Sequence, residues 1–396
     1  MRLLPSDERG LQRALALAGE AAAFASPNPT VGCVLLRGDR TLGEGSHRYD
    51  SFDHAEIAAL KQARSAGHDV QGATACVTLE PCSHHGRTAP CSDALITAGI
   101  SRCVVATVDP NPLVSGRGLA RLRAANIEVL LDAPGSPIAQ QARRLNDPFA
   151  FAIQHNRPFV TLKAAVSVDG KLAPPGRERT GIAPHWLTGP AARADVQQLR
   201  HGSDALLTGI GTVLADNPEL TDRTGLPRRR PLLRVVLDPQ LRIPTDSRLV
   251  RSAAQRAPSG PTHSDLLILC AEGAPARNEA ALRACHVEVF SLPSAERTLD
   301  LHAVLGILQQ RQIRSVLTEA GSALNGSLLR AQLADKVVLY IAERELGVEA
   351  LPFAAAAASP YALQEQLTSV TRATFPNGTA EDIRITGYLQ DPWNPL

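Results

Sequence analysis

The sequences HAE at residues 54–56 and PCSHHGRTAPC at residues 81–91 decide how the first half of this chain is interpreted. HAE opens a helical pattern, and the second stretch joins a strand, ATACVTL, to another helix, CSDALITAGI. His54 and Cys91 are therefore expected at the N-terminal ends of two helices, and Cys82 directly after a strand. All three residues fall at junctions between strands and helices.

His54, Cys82, Cys91 and Glu56 are the parts of a hydrolytic zinc site. One histidine and two cysteines leave the fourth position of a tetrahedral zinc ion open, which a catalytic site requires. Because residues two apart point to different faces of a regular helix, Glu56 can join His54 only at the helix start, where it would move protons and not bind the metal. The alternative is that both cysteines are unligated and that His54 caps a surface helix.

The composition limits the compartment and the partners. A chain of 396 residues with 44% hydrophobic content predicts two globular domains, and a net charge of +2 provides no field of one sign for a nucleic-acid backbone. The N-terminus MRLLPSDERG lacks an apolar signal region, and no segment reaches the roughly 18 apolar residues of a membrane span. We expect a cytoplasmic protein that acts on small anionic substrates. Five cysteines are interpreted as small core residues of a reduced protein, namely Cys33, Cys76, Cys103, Cys270 and Cys285.

Strands alternate with helices in both halves, which predicts sheets covered by helices on both faces. Helical periodicity stops in NDPFAFAIQHNRP, residues 146–158, so we expect a linker there, with one domain at 1–150 and a second at 151–396. An Ala/Ser/Pro-rich segment at 252–264 is expected to be an exposed loop.

The motif TLEPCSHHGRTAPC, with HAE upstream, resembles the deaminase half of the bifunctional deaminase/reductase family of riboflavin biosynthesis, RibD. Eight residues separate the two cysteines, as in that family, whereas the generic zinc nucleoside deaminase motif has two. SPNPTVG and GEGSH resemble its substrate loop and a strand end. The resemblance implies residues around the pyrimidine and the ribose phosphate, namely Asn28, His47, His84 and Arg87. Either His84 or His85 could replace a metal ligand, but both fit substrate contacts better.

The second half contains no GxGxxG, so a standard dinucleotide-binding motif is absent. TGIGTVLADNP at 208–218 and EAGSALNG at 319–326 are glycine-bearing junctions that could bind phosphates through backbone amides. Taken alone, both are equally compatible with tight turns between a strand and a helix.

The motifs LKAAVSVDGK, HWLTGPAARADVQQLR, TGIGTVLADNPELTDR and TEAGSALNG are similar to successive motifs of the RibD reductase domain. The resemblance implies a three-layer α/β/α cytidine-deaminase-like domain followed by an α/β dihydrofolate-reductase-like domain. The implied NADPH contacts are Trp186, Thr212, Asp216, Gly321, Ser322, Ala323, Leu324, Asn325, Gly326 and Ser327. The implied substrate contacts are Arg200, Leu220, Arg223 and Glu319. Lys163 and Asp169 would lie near the nicotinamide and the ribose, although Lys163 is equally interpreted as a buried lysine or a strand-end salt bridge.

Two positions depart from the family pattern: Pro184 replaces a serine before Trp186, and Pro239 follows Asp238 where some members have a serine. The expected cofactors are one Zn²⁺ per chain and NADPH, and the expected partners are a pyrimidine ribotide and further copies of the chain, without nucleic acid or membrane. One alternative is a zinc deaminase of nucleic-acid bases with an accessory domain. The other is a nonenzymatic, zinc-stabilised binding protein.

Overall fold

The computed structural model describes residues 3–84, 89–175, 186–256, 264–295 and 298–394. The chain divides into two compact units. The first comprises Met1–Asn156, Pro227–Arg230 and Pro392–Leu396, and the second comprises Arg157–Leu226 and Pro231–Asp391. Among the described residues, no helix is both long and apolar enough to cross a bilayer.

The first unit is built on one mixed sheet. Its strands are β1 (Gly32–Arg37), β2 (Arg40–Ser46), β3 (Thr74–Val77), β4 (Arg102–Val105) and β5 (Glu128–Leu131). They lie in the order β2-β1-β3-β4-β5. β1 runs antiparallel to β2 and β3, whereas β3, β4 and β5 are parallel, so the loops after these three strands lie at one edge of the sheet.

Helices cover both faces of this sheet. They are α1 (Pro5–Ala25), α2 (Ala55–Ser65), α3 (Cys91–Thr97), α4 (Arg117–Ala124), α5 (Pro137–Leu145) and α6 (Asp147–His155), with a short 3₁₀ turn at Tyr49–Ser51. Along β1, Cys33 and Leu35 pack with residues of α2, α3 and α4, whereas Val34 and Leu36 pack with residues of α1 and α5. The alternation of side chains along a strand therefore produces the three expected layers.

The linker predicted at 146–158 is wrong, because α6 occupies most of it. Pro148 lies in the first turn, where its missing N–H costs nothing, and Ala150, Phe151 and Ala152 are buried. The Phe151 ring stacks on the His155 ring at 4.1 Å between centroids. The run of apolar residues thus forms a second short helix directly after α5, and the two units divide between Asn156 and Arg157.

The C-terminal residues 392–394 belong to the first unit. Trp393 packs against the core beneath α2 to α4. Its indole Nε1 donates a hydrogen bond to Asp147 Oδ1 at 3.1 Å, and its carbonyl oxygen accepts one from Gln154 Nε2 at 3.1 Å. The Arg143 guanidinium lies over the indole ring, 4.9 Å from its centroid.

The second unit contains a larger sheet. Its strands are β6 (Phe159–Ser167), β7 (Lys171–Ala173), β8 (Ala205–Gly209), β9 (Leu233–Leu237), β10 (Leu266–Ala271), β11 (Glu288–Leu292), β12 (Ser294–Ala295), β13 (Thr298–Leu299), β14 (Ser315–Glu319), β15 (Lys336–Ala342), β16 (Leu351–Pro352), β17 (Thr368–Asn377) and β18 (Ala380–Tyr388). Nine strands lie in the order β11-β10-β9-β8-β14-β6-β15-β18-β17. In this spatial order the first seven strands, β11-β10-β9-β8-β14-β6-β15, are parallel. The hairpin β17–β18 adds two antiparallel strands at the edge next to β15.

Helices also cover both faces of this sheet. They are α7 (Pro190–His201), α8 (Ile210–Asp216), α9 (Arg248–Arg256), α10 (Ala276–Ala284), α11 (Leu301–Gln310), α12 (Ser322–Arg330) and α13 (Pro360–Gln364). Leu207 and Val235 pack with residues of α11 and α12, whereas Leu206 and Val236 pack with residues of α8, α9 and α10. The loop expected at 252–264 is corrected in part, because α9 continues to Arg256, and residues 257–263 lie outside the described residues.

Two neighbouring strands in this sheet lead to opposite faces. β8 continues through α8 to β9, while the adjacent β14 continues through α12 to β15. Ligands of open α/β sheets bind in the crevice where such connections diverge, at the carboxyl ends of the strands. The sheet order therefore places a cleft at the ends of β8 and β14.

Candidate functional sites

The structure brings the three predicted metal ligands together. His54 caps α2, Cys82 follows β3 on a loop, and Cys91 is the first residue of α3. His54 Nδ1 lies 3.2 Å from Cys91 Sγ and 3.5 Å from Cys82 Sγ, and the three ligand atoms all lie within 4.8 Å of one another. Among the described residues this is the one such cluster of histidine, cysteine and carboxylate groups.

The donor set fits zinc. One imidazole nitrogen and two sulfurs suit a tetrahedral site that keeps one position open. The Cys91 backbone N–H donates to Cys82 Sγ at 3.3 Å. The hydrogen bond with Cys91 is the main cause that lowers the pKa of Cys82 to about 4. Burial acts in the opposite direction, and the hydrogen bond with His54 lowers the pKa further. The cysteine is thus held as the thiolate that binds metals.

Glu56 lies beside this cluster, as the helix geometry predicts. It is in the first turn of α2 and is 3% exposed. Burial raises the pKa of its carboxyl to about 7, and the nearby charge of Cys82 acts in the same direction. A carboxyl group with such a pKa can accept and return a proton near neutral pH.

Two predicted substrate residues lie next to the metal ligands. His47 is 3% exposed, and its ring lies edge-on to the His54 ring, 5.4 Å between centroids. His47 Nδ1 must donate to the Asp53 carbonyl at 2.8 Å, because a carbonyl oxygen only accepts. Burial lowers the pKa of His47, which favours the neutral ring, so Nε2 accepts from Asn28 Nδ2 at 3.1 Å. The Asn28 side chain is thereby held through its amide nitrogen, and its amide oxygen takes no part in this hydrogen bond.

The loop between the cysteines is described only in part. His84 is exposed, and its charge lowers the pKa of Asp109, although burial has the larger effect and raises that pKa to about 6. Arg87, predicted to contact substrate, and His85 lie outside the described residues.

Sequence reasoning missed a residue that holds the Asn28 loop. Asn146, which is 1% exposed, accepts from the Thr30 backbone N–H at 2.7 Å and donates to the Thr30 carbonyl at 3.0 Å. No local pattern could have revealed the pair, because 116 residues separate the two partners.

The second unit brings Lys163, Glu319 and Arg200 together at the carboxyl end of β14, next to the middle of β6. Lys163 and Glu319 are register partners on these adjacent strands, with Nζ 3.7 Å from Oε2. Arg200, from α7, forms a bidentate pair with Glu319 at 2.6 and 2.9 Å. Burial alone would raise the pKa of Glu319, but Arg200 and Lys163 outweigh it and lower the pKa to about 2.

The surroundings of Lys163 were not predicted. Its Nζ lies 5.6 Å from the centroid of the Tyr340 ring, within the range of a cation–π contact. The Tyr340 hydroxyl donates to Asp195 at 2.5 Å, and Arg384 donates to the same carboxylate oxygen at 2.6 Å. Burial lowers the pKa of Lys163, while Glu319 opposes that effect. Lys163 is therefore a lysine with a 13% exposed side chain that pairs with the glutamate at the end of β14.

Other predicted residues of this unit have distinct settings. The Leu220 side chain packs in the core, and its positive φ of 56° belongs to the turn whose Thr221 carbonyl accepts from Arg200 at 2.9 Å. Arg223 is exposed, and its charge contributes to the low pKa of Glu319. Asp169 anchors a turn by accepting from the backbone N–H groups of Leu346 and Gly347, at 3.1 and 2.8 Å.

The two glycine-bearing junctions face each other. An ideal Cβ on Gly321 would meet Thr212 Oγ1 at 3.8 Å, and the Thr208 hydroxyl donates to the Glu319 carbonyl at 2.7 Å. Gly321 caps α12, and Ser322 Oγ is buried with no hydrogen-bond partner among the described residues. An unpartnered hydroxyl at a helix N-terminus suits a phosphate, so these residues fit a dinucleotide.

The remaining predicted cofactor residues divide into two groups. Asn325 and Gly326 are packed inside the unit: Asn325 Nδ2 donates to the Phe353 carbonyl at 3.0 Å, and a Cβ on Gly326 would lie 2.1 Å from the Ala355 carbonyl oxygen. Trp186 is 53% exposed beside Arg193. The rest lie along the start of α12 or at the end of α8, namely Ala323, Leu324, Ser327 and Asp216. Pro184 lies outside the described residues.

Comparison with protein families gives one match for each unit. The cytidine and deoxycytidylate deaminase zinc-binding region matches residues 4–107, and the RibD C-terminal domain matches residues 158–372. The fold and the sites therefore define a two-domain enzyme, with a zinc-binding deaminase domain followed by an NADPH-dependent reductase domain.

Known relatives share this arrangement over most of their length. The riboflavin biosynthesis protein RibD of Actinobacillus pleuropneumoniae is 40% identical over 337 residues, which cover 85% of this chain and 84% of the relative. The RibD structure from Acinetobacter baumannii is 34% identical with a TM-score of 0.76, covering 97% of this chain and 99% of that one. A deaminase/reductase structure from Thermotoga maritima is 30% identical with a TM-score of 0.76, with the same coverage. The chain belongs to the RibD family of bifunctional deaminase/reductases of riboflavin biosynthesis, which confirms the expected fold class and function.

Proposed function

We propose that the first unit hydrolyses the 2-amino group of 2,5-diamino-6-(ribosylamino)pyrimidin-4-one 5'-phosphate. The second unit then reduces the ribosyl group to ribityl, giving 5-amino-6-ribitylaminouracil 5'-phosphate. The observation that carries the proposal is the cluster of His54 Nδ1 and the two cysteine sulfurs within 4.8 Å, with the buried Glu56 beside it.

In the deaminase site, His54, Cys82 and Cys91 would hold the zinc ion, which supplies an activated water when bound. Glu56 takes a proton and delivers it to the ring nitrogen of the pyrimidine, then assists the departure of ammonia. Its burial supports this role, since a carboxyl with a pKa of about 7 is readily protonated and deprotonated at neutral pH.

Asn28 and His47 orient the pyrimidine. Because His47 Nε2 already accepts from the Asn28 amide nitrogen, the amide oxygen of Asn28 is directed toward donors on the substrate ring. We assign His84 and Arg87 to the ribose phosphate, where a guanidinium can bind a phosphate in a bidentate manner.

In the reductase site, the start of α12 and Thr212 would hold NADPH, which supplies the hydride when bound. Gly321 and Ser322 bind a phosphate, and Trp186 and Asp216 complete the cofactor site together with Ala323, Leu324 and Ser327, whereas Asn325 and Gly326 support it from inside the unit. Lys163 holds a positive charge near the reacting ribose, supported by its contacts with Glu319 and Tyr340. Arg200, Arg223 and Glu319 line the substrate side, and Leu220 takes part through the backbone of the turn that Arg200 holds.

The assignment extends to the whole protein. We assign the deaminase to the first unit and the reductase to the second, with the boundary expected at residue 150 moved to Asn156, in a cytoplasmic protein that forms homo-oligomers and binds no nucleic acid. The net charge of +2 supports the absence of a nucleic-acid partner. Light scattering of the purified chain tests the oligomer, with a single-chain mass as the contradicting result.

Mass spectrometry of the diaminopyrimidine ribotide, incubated with the protein with and without NADPH, tests the activities. Without NADPH the substrate should gain about one dalton as an amino group becomes a hydroxyl. With NADPH the product should gain about two daltons more, for the added hydrogens. An unchanged mass in both incubations would refute the proposal, and deamination of an RNA in place of the ribotide would favour a nucleic-acid deaminase.

A further inference from the structure

A buried carboxylate, that of Glu80, lies between the end of β3 and the loop that carries Cys82, which we call the metal loop. Glu80 is 4% exposed and lies two residues before Cys82. Its two oxygens accept from four backbone N–H groups at and before the start of α4. On Oε1 these are Gly118 at 2.8 Å and Leu119 at 3.3 Å, and on Oε2 they are Gly116 at 2.9 Å and Asp109 at 3.3 Å.

The backbone around Glu80 is held in the same place. The Glu80 N–H donates to the Thr107 carbonyl at 2.9 Å. A Cβ on Gly118 would lie 1.9 Å from the Pro81 carbonyl oxygen, so the first turn of α4 lies directly against the peptide that leads to Cys82. Only glycine permits this approach.

Cys82 is held from its other side by α3. Its carbonyl accepts from the Ser92 N–H at 3.1 Å, and its sulfur accepts from the Cys91 N–H at 3.3 Å. The position of the Cys82 sulfur relative to His54 therefore depends on two anchors, the start of α3 and the Glu80 contacts with α4.

Only an ionised carboxylate suits four converging N–H donors, because it has two oxygens and no hydrogen of its own. In glutamine the amide nitrogen would point its hydrogens at two of those donors and leave them unsatisfied. In aspartate the shorter side chain keeps the acceptors but cannot reach all four donors at once.

We propose that Glu80 is a positioning residue of the zinc centre: it fixes the start of α4 against the metal loop and so sets where Cys82 stands relative to His54 and Cys91. The proposal rests on the deaminase assignment made above. Residues that orient metal ligands typically change metal affinity or activity by about 10- to 100-fold when they are replaced.

The test uses the full-length, zinc-loaded chain with Glu80→Gln, Glu80→Asp and Gly118→Ala. Zinc release to a chromogenic chelator is measured, together with kcat and KM for deamination per bound zinc. We expect Glu80→Gln and Gly118→Ala to release zinc about tenfold faster or more, and to lower kcat more than they raise KM. Glu80→Asp should fall between them and the wild type.

Asp7→Asn is the matched control. Asp7 is a carboxylate of the same unit, 1% exposed, that pairs with Arg102 at 2.9 and 3.1 Å. Arg102 begins β4, at the sheet edge opposite the metal loop. The control should lower the stability of the unit and leave zinc release unchanged.

Hydrogen exchange of β1 and β3 peptides reports whether the first unit of each variant remains folded, and reductase turnover of the deaminated substrate reports the same for the second unit. Zinc release at the wild-type rate in both Glu80→Gln and Gly118→Ala would overturn the positioning role, as would equal acceleration by Asp7→Asn. A wild-type chain that retains zinc but releases no ammonia would overturn the deaminase assignment instead, and zinc release alone would then decide the role of Glu80.

Discussion

The zinc cluster of the first unit and the Lys163–Glu319–Arg200 cluster of the second differ in how they are assembled. His54 and Cys91 lie at the starts of two helices, Cys82 lies on the loop that follows β3, and backbone groups hold the two cysteines. The second cluster is joined by its own charged side chains across two strands and a helix. We therefore expect the first site to be sensitive to loop position, and the second to charge.

The largest expected effect is that of Glu56→Gln on deamination. The amide keeps the shape of the side chain but cannot carry the proton, so kcat for ammonia release should fall about a thousandfold or more. Zinc content, measured by atomic absorption, and reductase turnover should match the wild type. Retained ammonia release would remove Glu56 from the chemistry, and a nonenzymatic zinc protein predicts no change of any kind.

Glu319→Gln tests the charge dependence of the second site. The Arg200 guanidinium, whose side chain is 9% exposed, would lose its bidentate partner while remaining buried. This loss should lower the free energy of unfolding of the second unit by about 3–5 kcal/mol. Hydrogen exchange of β6 and β14 peptides in increasing urea measures the loss. Peptides from β1 and β3 serve as the control and should be unchanged; equal losses in both units would show that the effect is not local.

The same pair predicts an acid dependence. Because the pKa of Glu319 is about 2 in the folded state and 4.5 ordinarily, the folded state favours the ionised carboxylate. This stabilisation is complete above about pH 4.5 and is lost as the pH falls toward 2. The difference between the urea midpoints of the wild-type second unit and of the Glu319→Gln second unit should therefore shrink as the pH is lowered through this range. A constant difference would contradict the low pKa.

The smallest effect is expected for Asn146→Ala. The Thr30 N–H and carbonyl would lose their partner in a buried site, which costs about 1–3 kcal/mol for each unsatisfied group. Because Thr30 is two residues from Asn28, KM for the pyrimidine ribotide should rise a few-fold with kcat less affected. Asn146→Asp keeps the acceptor and should be intermediate. Steady-state kinetics checks both variants, and an unchanged KM would separate Asn146 from the substrate loop.

The metal cluster was predictable because its information is local. Histidine and cysteine at helix starts are few in the sequence, and the helix geometry of Glu56 relative to His54 required a site at the start of α2. The prediction of a linker at 146–158 was wrong because the segment is too short for its periodicity to be informative. Over so few residues, periodicity cannot distinguish a short buried helix from a connection when both are rich in alanine and phenylalanine.

The residues that support the sites were not predictable in the same way. Glu80 precedes Cys82 in the quoted motif, but its partners lie after β4 and at the start of α4, one helix and one strand further along the chain. Lys163 and Glu319 meet through the register of two parallel strands, which the sequence does not state. The paired glycines of SGRGLA were the one available signal, since the backbone N–H groups of Gly116 and Gly118 are two of the four donors that converge on Glu80.

The contacts of Trp393 have a consequence for biosynthesis of the protein. The ribosome produces residues 392–394 after all of the second unit, yet these residues complete the packing of the first. The deaminase unit therefore emerges early but reaches its final set of contacts last. A fragment that stops at Asn156 would lack the indole hydrogen bond to Asp147, so expression of the first unit alone should yield a less stable domain than the same unit in the full chain.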